Sequence, residues 1–408
     1  MFMVEKLYYA DQYIKEFDAT IIDIKGDRIF LDRTAFYPGG GGQAADLGTI
    51  DGKSVTEVGK DGEEIFHTIL GASFSKGQKV RCALDWSRRY ELMRGHSGQH
   101  ILFHAMQEQN PEIGVGKVDI GIDKKVLLFN GRISWDELRR ALAKANTVIA
   151  SDLEVLIQEV PKDSPDLADV RIKADRIAGD KVRIIRIGDF DAAACGGVHV
   201  RRTGEIGGLS IVKMVSGRQA SDWSVQFEVG FKALQSASDL AISTLSIADI
   251  LGCATSNVEP TVSNLKDNVE SLSEKLRTAS QAQLEALQPE KVCNFQLYSA
   301  VLSNADRKTM NDVSSKLIRQ DGAIVLLCDV SDNAFVVIAC NERIKLDCPE
   351  LLKKGLDMLG GRGGGKLNYA QGAGPDRAKA ESAFNAVRQS IIDIISSQFC
   401  NDSDSYMQ

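Results

Sequence analysis

Three imidazoles and one thiol carry the strongest chemical signal in this sequence. They lie in two short strings, His96-Ser97-Gly98-Gln99-His100 and Cys195-Gly196-Gly197-Val198-His199. The whole chain holds only five histidines, so three of them in these two strings is a concentration. Imidazole nitrogen and thiolate sulfur are the donors a tetrahedral zinc prefers, and four is its usual count. Either pair alone is a weak motif; the two together point to one metal centre with His96, His100, Cys195 and His199 as ligands. His104 falls one turn beyond His100 on the same helical face. It reads as a packed or supporting histidine, or as a ligand in place of one of the others.

The elements that must position these residues are legible in the hydrophobic pattern. Trp86 to Gln109 has apolar residues at helical spacing and no proline, so a helix is expected, with His96 and His100 one turn apart on one face. Lys181 to Ile187 reads as a strand, followed by a glycine-broken turn that lets the backbone wrap closely around Cys195 and His199. Residues 1–85 read as short strands separated by Lys-Gly-Asp, Asp-Gly-Lys and Asp-Gly-Glu turns, which suggests a small β-barrel. Within them, Thr34 and Gln43 flank Phe36-Tyr37-Pro38-Gly39-Gly40-Gly41-Gly42. Four glycines in a row suit either a flexible turn or a backbone-lined loop over a ligand. Residues 86–240 alternate helix and strand patterns: Ser134 with Glu137 forms a capping box, and Ile206 to Val215 with Trp223 to Val229 forms a closing hairpin. Residues 241–290 carry Val262, Leu265, Val269, Leu272 and Leu276 at steps of 3 and 4, a heptad seam. That seam is either one amphipathic helix packed on a domain or a hairpin or dimer seam. Residues 291–408 form a second α/β unit, with Gly360-Gly361-Arg362-Gly363-Gly364-Gly365-Lys366 as a glycine loop. Bare N–H groups with Arg362 and Lys366 suit an anion such as phosphate, although the spacing is not that of a P-loop; a tight packing loop is the other reading. The expected fold class is therefore α+β: barrel, ligand-bearing α+β domain, coiled-coil-like helical spacer and C-terminal α/β glycine-rich domain.

His96-x-x-x-His100 followed by Cys195-x-x-x-His199 resembles the metal signature of the editing domain of alanyl-tRNA synthetase and of the freestanding alanyl-tRNA editing proteins. The Phe-Tyr-Pro-glycine-Gln string resembles theirs, and the C-terminal glycine run resembles the motif of the DHHA-type domain. The strings cover most of the chain in the family's order, and no aminoacylation domain is read within it, as in the long form of the freestanding editors. The resemblance implies a zinc-dependent hydrolase, with one Zn2+ per chain, that deacylates seryl-tRNA(Ala), with the glycyl ester as a second substrate; a cytoplasmic setting is expected from the lack of a signal-peptide or membrane-spanning pattern. It implies roles for His96, His100, Thr34 and Gln43 in catalysis and specificity, with Thr34 meeting the serine hydroxyl. Arg201 and Arg202 would meet tRNA phosphates, together with Arg218, Arg362, Gly363, Gly364 and Lys366. One departure stands out: where the family often has a basic run, Ser216 to Trp223 keeps a single arginine and adds an acid.

Bulk properties set limits. At roughly 100–200 residues per domain, 408 residues hold two to three domains. Hydrophobic content of 43% with 26% charged residues is ordinary for a globular chain, and there is no apolar run near membrane-spanning length and no signal-peptide pattern. The eight cysteines are scattered through apolar strings and read as core residues rather than a disulfide framework. The net charge of -7 argues mildly against a nucleic-acid partner, although local fields steer association more than the total does. A non-catalytic zinc-containing tRNA- or RNA-binding protein is the competing function, and a homodimer through the C-terminal half is a further expectation. A phosphoesterase-like tail is disfavoured, because no histidine follows His199.

Overall fold

The computed structural model describes residues 4–71, 73–172, 180–217 and 223–399. The chain divides into two compact units, residues 1–250 and 251–408. Both are mixed α and β, as the sequence pattern requires.

The first unit opens with β1 (Glu5–Lys6), a single helical turn α1 (Leu7–Ala10), β2 (Glu16–Lys25), β3 (Arg28–Leu31), β4 (Arg33–Thr34), β5 (Gly48–Ile50), β6 (Lys53–Val55), β7 (Glu57–Asp61), β8 (Glu64–Thr68) and β9 (Lys79–Leu84). Seven of these strands form one sheet in the order β6-β5-β9-β2-β3-β8-β7. Among the described ladders none joins β6 to β7, so the sheet is not hydrogen-bonded into a full ring. Yet Thr56 alone separates those two edge strands, so the sheet curls until its edges meet at that corner. The result is barrel-like, closed by the chain and not by a ladder.

The long helix α2 (Trp86–Gln109) follows, its first turn capped by the Asp85 carboxylate accepting from the Arg88 N–H at 3.0 Å. Its apolar residues Leu92, Met93, Ile101, Leu102 and Phe103 are fully buried, and they belong to the same hydrophobic cluster as Ile21, Leu31 and Val80 of the curled sheet. One core thus runs through the sheet and α2. Next come β10 (Gly114–Ile120), β11 (Lys125–Asn130) and α3 (Trp135–Ala150), the last opened by the Ser134–Glu137 capping box. Then β12 (Val155–Pro161), β13 (Lys181–Ile187) and β14 (Asp191–Ala194) make a three-stranded antiparallel sheet. The hairpin β15 (Leu209–Val215) and β16 (Trp223–Val229) joins β10 and β11 in the order β10-β11-β16-β15. The helix α4 (Gly230–Leu251) starts at the end of that hairpin, eleven residues before the helical spacer was expected to begin.

In the second unit α5 (Val258–Glu285) carries the heptad residues, and Pro260 sits in its first turn, where a missing N–H costs nothing. Val262, Leu265, Val269, Leu272 and Leu276 are all exposed. A six-stranded sheet follows, built from β17 (Glu290–Val292), β18 (Phe295–Leu302), β19 (Ala323–Asp329), β20 (Ala334–Cys340), β21 (Arg362–Lys366) and β22 (Tyr369–Gly374) in the order β17-β18-β19-β20-β22-β21. Helices α6 (Arg307–Leu317), α7 (Cys348–Leu359) and α8 (Ala380–Phe399) accompany it. The run read as a glycine loop, for a phosphate or for tight packing, contains the edge strand β21, paired antiparallel with β22. Gly363 and Gly365 serve packing: a Cβ on Gly363 would stand 2.5 Å from the Gln371 carbonyl oxygen and 2.8 Å from Leu356 Cδ1, and one on Gly365 would stand 2.0 Å from the Tyr369 carbonyl oxygen.

Among the described residues no single helix is long and apolar enough to cross a membrane. Cys82, Cys328, Cys340 and Cys348 are buried thiols, as the pattern suggested, but Cys293 is disulfide-bonded.

Candidate metal centre

Helix α2 presents His96 and His100 on its buried face, and the turn after β14 presents Cys195 and His199. One donor atom from each of these four residues lies within 4.8 Å of the other three. Cys195 Sγ is 3.4 Å from His96 Nε2 and 3.3 Å from His199 Nε2. Tetrahedral zinc, with bonds of about 2.0–2.3 Å to nitrogen and sulfur, places its ligands about 3.3–3.7 Å apart. The donor set therefore suits a metal ion in identity, and the two separations from Cys195 match that spacing.

The outward nitrogens of the imidazoles are held as well. His96 Nδ1 lies 2.7 Å from Gln43 Oε1, and His199 Nδ1 lies 3.2 Å from Ser97 Oγ. His100 Nδ1 lies 3.5 Å from the Asp191 carboxylate. Partners on the far side of a ligand imidazole fix its tautomer and raise its basicity toward a metal. Asp191 in turn takes both oxygens to Arg171, at 2.6 and 2.8 Å, and one to His104 Nδ1 at 3.2 Å. His104 thus supports the carboxylate behind His100; it is not one of the four clustered donors.

The electrostatics of the cluster are those of a cation site. Burial works to raise the Cys195 thiol, but the three imidazoles outweigh it and hold the thiol well below its ordinary value. Burial would lower His100, but the Cys195 thiolate and Asp191 push it up to about 9. Burial pushes His199 down to about 3, which keeps its imidazole neutral. Burial also works to raise Asp191, yet hydrogen bonds from His100 and His104 and the charge of Arg171 hold it below the usual carboxylate range. A thiolate and neutral imidazoles are the forms that bind metal, and a bound cation would take the place of the His100 proton.

The glycine-rich string makes a hydrogen-bonded turn that reaches this centre. Gly39, Gly40, Gly41 and Gly42 all have positive φ, from +61 to +134°, a run that residues with a Cβ rarely adopt. The turn is pinned to the end of β10 by Ile120 N–H donating to Gly42 O at 2.7 Å and Ala44 N–H donating to Ile120 O at 3.0 Å. Of the two sequence readings of this string, the backbone is thus an ordered turn, and it delivers Gln43.

Thr34 is fully buried beside a different group. Its Oγ1 is 2.9 Å from His67 Nε2 and accepts from the Phe36 N–H at 3.1 Å. His67 Nδ1 faces the Ile29 carbonyl at 3.2 Å, so this ring nitrogen carries the proton and Nε2 accepts from Thr34. Burial lowers the His67 pKa to about 4.

The arginines expected to meet tRNA are partly engaged. Arg201 pairs with Asp11 at 2.9 Å and lies over the Tyr13 ring; Arg202 pairs with Asp152 at 2.6 Å; both side chains are more than half exposed. Arg218 lies outside the described residues. Arg362, Gly363, Gly364 and Lys366 are exposed on β21.

Several residues at the centre were not read from the sequence. Gln12 accepts from the His199 N–H and, through its own carbonyl, from Arg89, which is itself paired with the buried Asp46. Arg183 donates to the carbonyls of Cys195 and Gly197, both at 2.8 Å, and packs over the Tyr9 ring. Asp191 lies just before the string Cys195–His199, and an acid four residues before the cysteine was the available signal.

Comparison with known proteins agrees with this geometry. Residues 182–225 match the threonyl and alanyl tRNA synthetase second additional domain, residues 4–88 the class II (A) tRNA synthetases, and residues 294–396 the DHHA1 domain. The combination defines a class: chains built from the editing and C-terminal modules of alanyl-tRNA synthetases. Alanyl-tRNA editing protein AlaX-L of Pyrococcus horikoshii is 31% identical across 95% of this chain and 98% of its own length. The chain belongs to the alanyl-tRNA editing protein family. Alanine–tRNA ligases of Methanoregula boonei and Pyrococcus abyssi are 30% and 28% identical, but the chain spans only 43% of the length of either. Among solved structures, the C-Ala domain of Aquifex aeolicus alanyl-tRNA synthetase matches 27% of this chain and 99% of its own, with 23% identity and a TM-score of 0.24.

Proposed function

We propose that this protein is a trans-acting hydrolase that deacylates tRNA(Ala) mischarged with serine, with the glycyl ester as a second substrate and one zinc ion held by His96, His100, Cys195 and His199. The observation that carries the reading is the convergence of these four donors from two segments far apart in the chain. The relative's name, alanyl-tRNA editing protein, supports the substrate class. When bound, zinc would supply Lewis acidity toward the ester carbonyl or a lowered pKa for a water.

The chain's own residues do the rest. Gln43 holds His96 in one tautomer, and Asp191 and Ser97 stand behind His100 and His199. Arg183 and Gln12 pin the backbone of the Cys195–His199 turn. Thr34 is our candidate for recognising the serine hydroxyl. Its own proton goes to His67, but a hydroxyl oxygen has two acceptor sites and Phe36 takes only one. A serine O–H would fill the other, and a substrate lacking it leaves that site unpaired, the kind of loss that discriminates by orders of magnitude. Replacing Thr34 by Val should lower seryl cleavage more than metal content; equal loss of both would remove Thr34 from this role.

For tRNA, we assign phosphate contacts to Arg201 and Arg202 in the first unit and to Arg362, Gly363, Gly364 and Lys366 in the second, with Arg218 as a further cation. Each lost phosphate contact should reduce the slope of log K against log salt by about 0.9. We also propose a four-part order of barrel, editing domain, helical spacer and C-terminal domain, with the spacer beginning at Gly230 where 241 was expected, a cytoplasmic setting, and a homodimer through the C-terminal half.

A second reading has a specific observation behind it. Four protein donors make a closed site, which is structural by default; the protein would then be a zinc-containing tRNA- or RNA-binding module. Deacylation of seryl-tRNA(Ala) by the full chain, with and without chelator, decides. Turnover that disappears on metal removal and returns with zinc supports the hydrolase. Tight tRNA binding without turnover supports the module.

A further inference from the structure

The glycine-rich turn delivers one atom to the junction of both ligand-bearing segments. Gln43 Oε1 lies 2.7 Å from His96 Nδ1 on α2, and it accepts from the Val198 N–H, at 3.1 Å, in the turn between Cys195 and His199. A backbone N–H can only donate, so the atom it faces is the amide oxygen. An amide oxygen can only accept, so His96 must carry its proton on Nδ1. The lone pair is then on Nε2, the nitrogen facing Cys195 Sγ. Gln43 is 3% exposed, and its Nε2 has no partner among the described residues, so among them the amide acts through its oxygen. Gly197 completes the arrangement: a Cβ there would strike the His96 ring and stand 2.9 Å from Gln43 Oε1.

We infer that Gln43 is a positioning residue that locks His96 in its Nδ1–H tautomer and, through the same oxygen, ties the Cys195–His199 turn to α2, so that both ligand pairs face one divalent cation. Without that acceptor the imidazole can place its proton on Nε2 and rotate, which withdraws a ligand, and the turn loses its tie to α2. The inference rests on the metal-centre reading above.

The test is a competition titration with zinc and with cobalt(II), on the full chain as wild type, Gln43→Leu and Gln43→Glu. Loss of a partner behind a ligand histidine weakens metal binding by about 10–100-fold. Gln43→Leu should show that loss, with an altered cobalt absorption spectrum and an unchanged far-UV circular dichroism. Gln43→Glu keeps an acceptor oxygen and should recover most of the affinity. Should the leucine variant fail to fold, Gln43→Met, closer in shape, carries the same comparison. Wild-type affinity in the folded leucine or methionine variant overturns the inference, as does a folded glutamate variant no better than the leucine one. If the wild-type chain binds neither metal, it is the metal-centre reading that fails.

Discussion

The N-terminal unit keeps charges and imidazoles inside. Arg89 and Asp46 are fully buried against each other, His67 and Thr34 share a hydrogen bond out of reach of water, and the four clustered donors sit within a shell of Gln43, Ser97 and Asp191. The C-terminal unit does the opposite. Strands β19 and β20 are buried along their whole length and almost wholly apolar, Asp329 is the one charged residue buried there among the described residues, and Arg362 and Lys366 stand exposed on an edge strand. Burying a polar group costs free energy that an apolar residue would not, and such groups persist where a fixed geometry is needed. The contrast therefore separates a unit built to hold reacting groups in place from a unit built to fold and present a surface.

The sharpest way to break this contrast is to remove a metal ligand. Cys195→Ala leaves three imidazoles around one vacated corner, and metal retention should fall by about a thousandfold or more, given the large free energy that such four-donor sites contribute. Hydrogen exchange on the full chain should then quicken in α2 and β14 while β19 and β20 stay protected. Equal loosening of both units would contradict the assignment of the metal to the first alone.

The next effect concerns the Arg89–Asp46 pair, whose Nη2–Oδ2 separation is 2.5 Å. Asp46→Ala leaves an uncompensated buried guanidinium and should cost about 3–5 kcal/mol in denaturant unfolding. Arg89 also donates to the Gln12 carbonyl, and Gln12 holds the His199 N–H, so metal affinity should fall with stability. Arg362→Ala, an exposed change in the other unit, should stay within about 0.5 kcal/mol of wild type in the same assay.

His67 makes the contrast a function of pH. Its folded pKa, about 4, lies below the ordinary 6.5, so between these values the unfolded chain binds more protons than the folded one. Stability from this group is complete above pH 6.5 and declines on acidification toward pH 4, by about 3 kcal/mol at 1.36 kcal/mol per unit. Unfolding free energies at pH 7 and pH 4.5 should show this slope in wild type and a shallower one in His67→Asn. An unchanged slope in the variant would mean that His67 is not the titrating group.

How much of this was legible beforehand depended on the range of the interactions. The ligand quartet could be read because donor type and spacing are local: i to i+4 within α2 and within the turn after β14. The helix boundaries of α2 and the Ser134–Glu137 cap could be read for the same reason. The pairing of Thr34 with His67 could not, because it joins β4 to β8, strands of two different sheets that only the folded chain brings together. Asp191 and Gln12 likewise act on ligands that folding alone brings near. The glycine run at 360–366 misled in the opposite direction: composition suggested a loop, while the edge of a sheet against α7 asks for strand residues without side chains on the crowded face.

That run supplies the finest test. Gly363 and Gly364 are adjacent on β21, so their Cβ positions point to opposite faces of the sheet. At Gly363 a methyl group would meet the Gln371 carbonyl oxygen and the Gly372 Cα, both at 2.5 Å, and Leu356 Cδ1 of α7 at 2.8 Å. At Gly364 nothing among the described residues lies within 4 Å. Gly363→Ala should therefore cost about 1–3 kcal/mol through overpacking, read as a lowered denaturation midpoint. Gly364→Ala should be neutral, or stabilising by up to about 1 kcal/mol, because it only narrows the freedom of the unfolded chain. If Gly364→Ala instead weakens tRNA binding at unchanged stability, the open face of β21 is where the nucleic acid lies. Equal destabilisation by both substitutions would show that the strand does not sit against α7 as described.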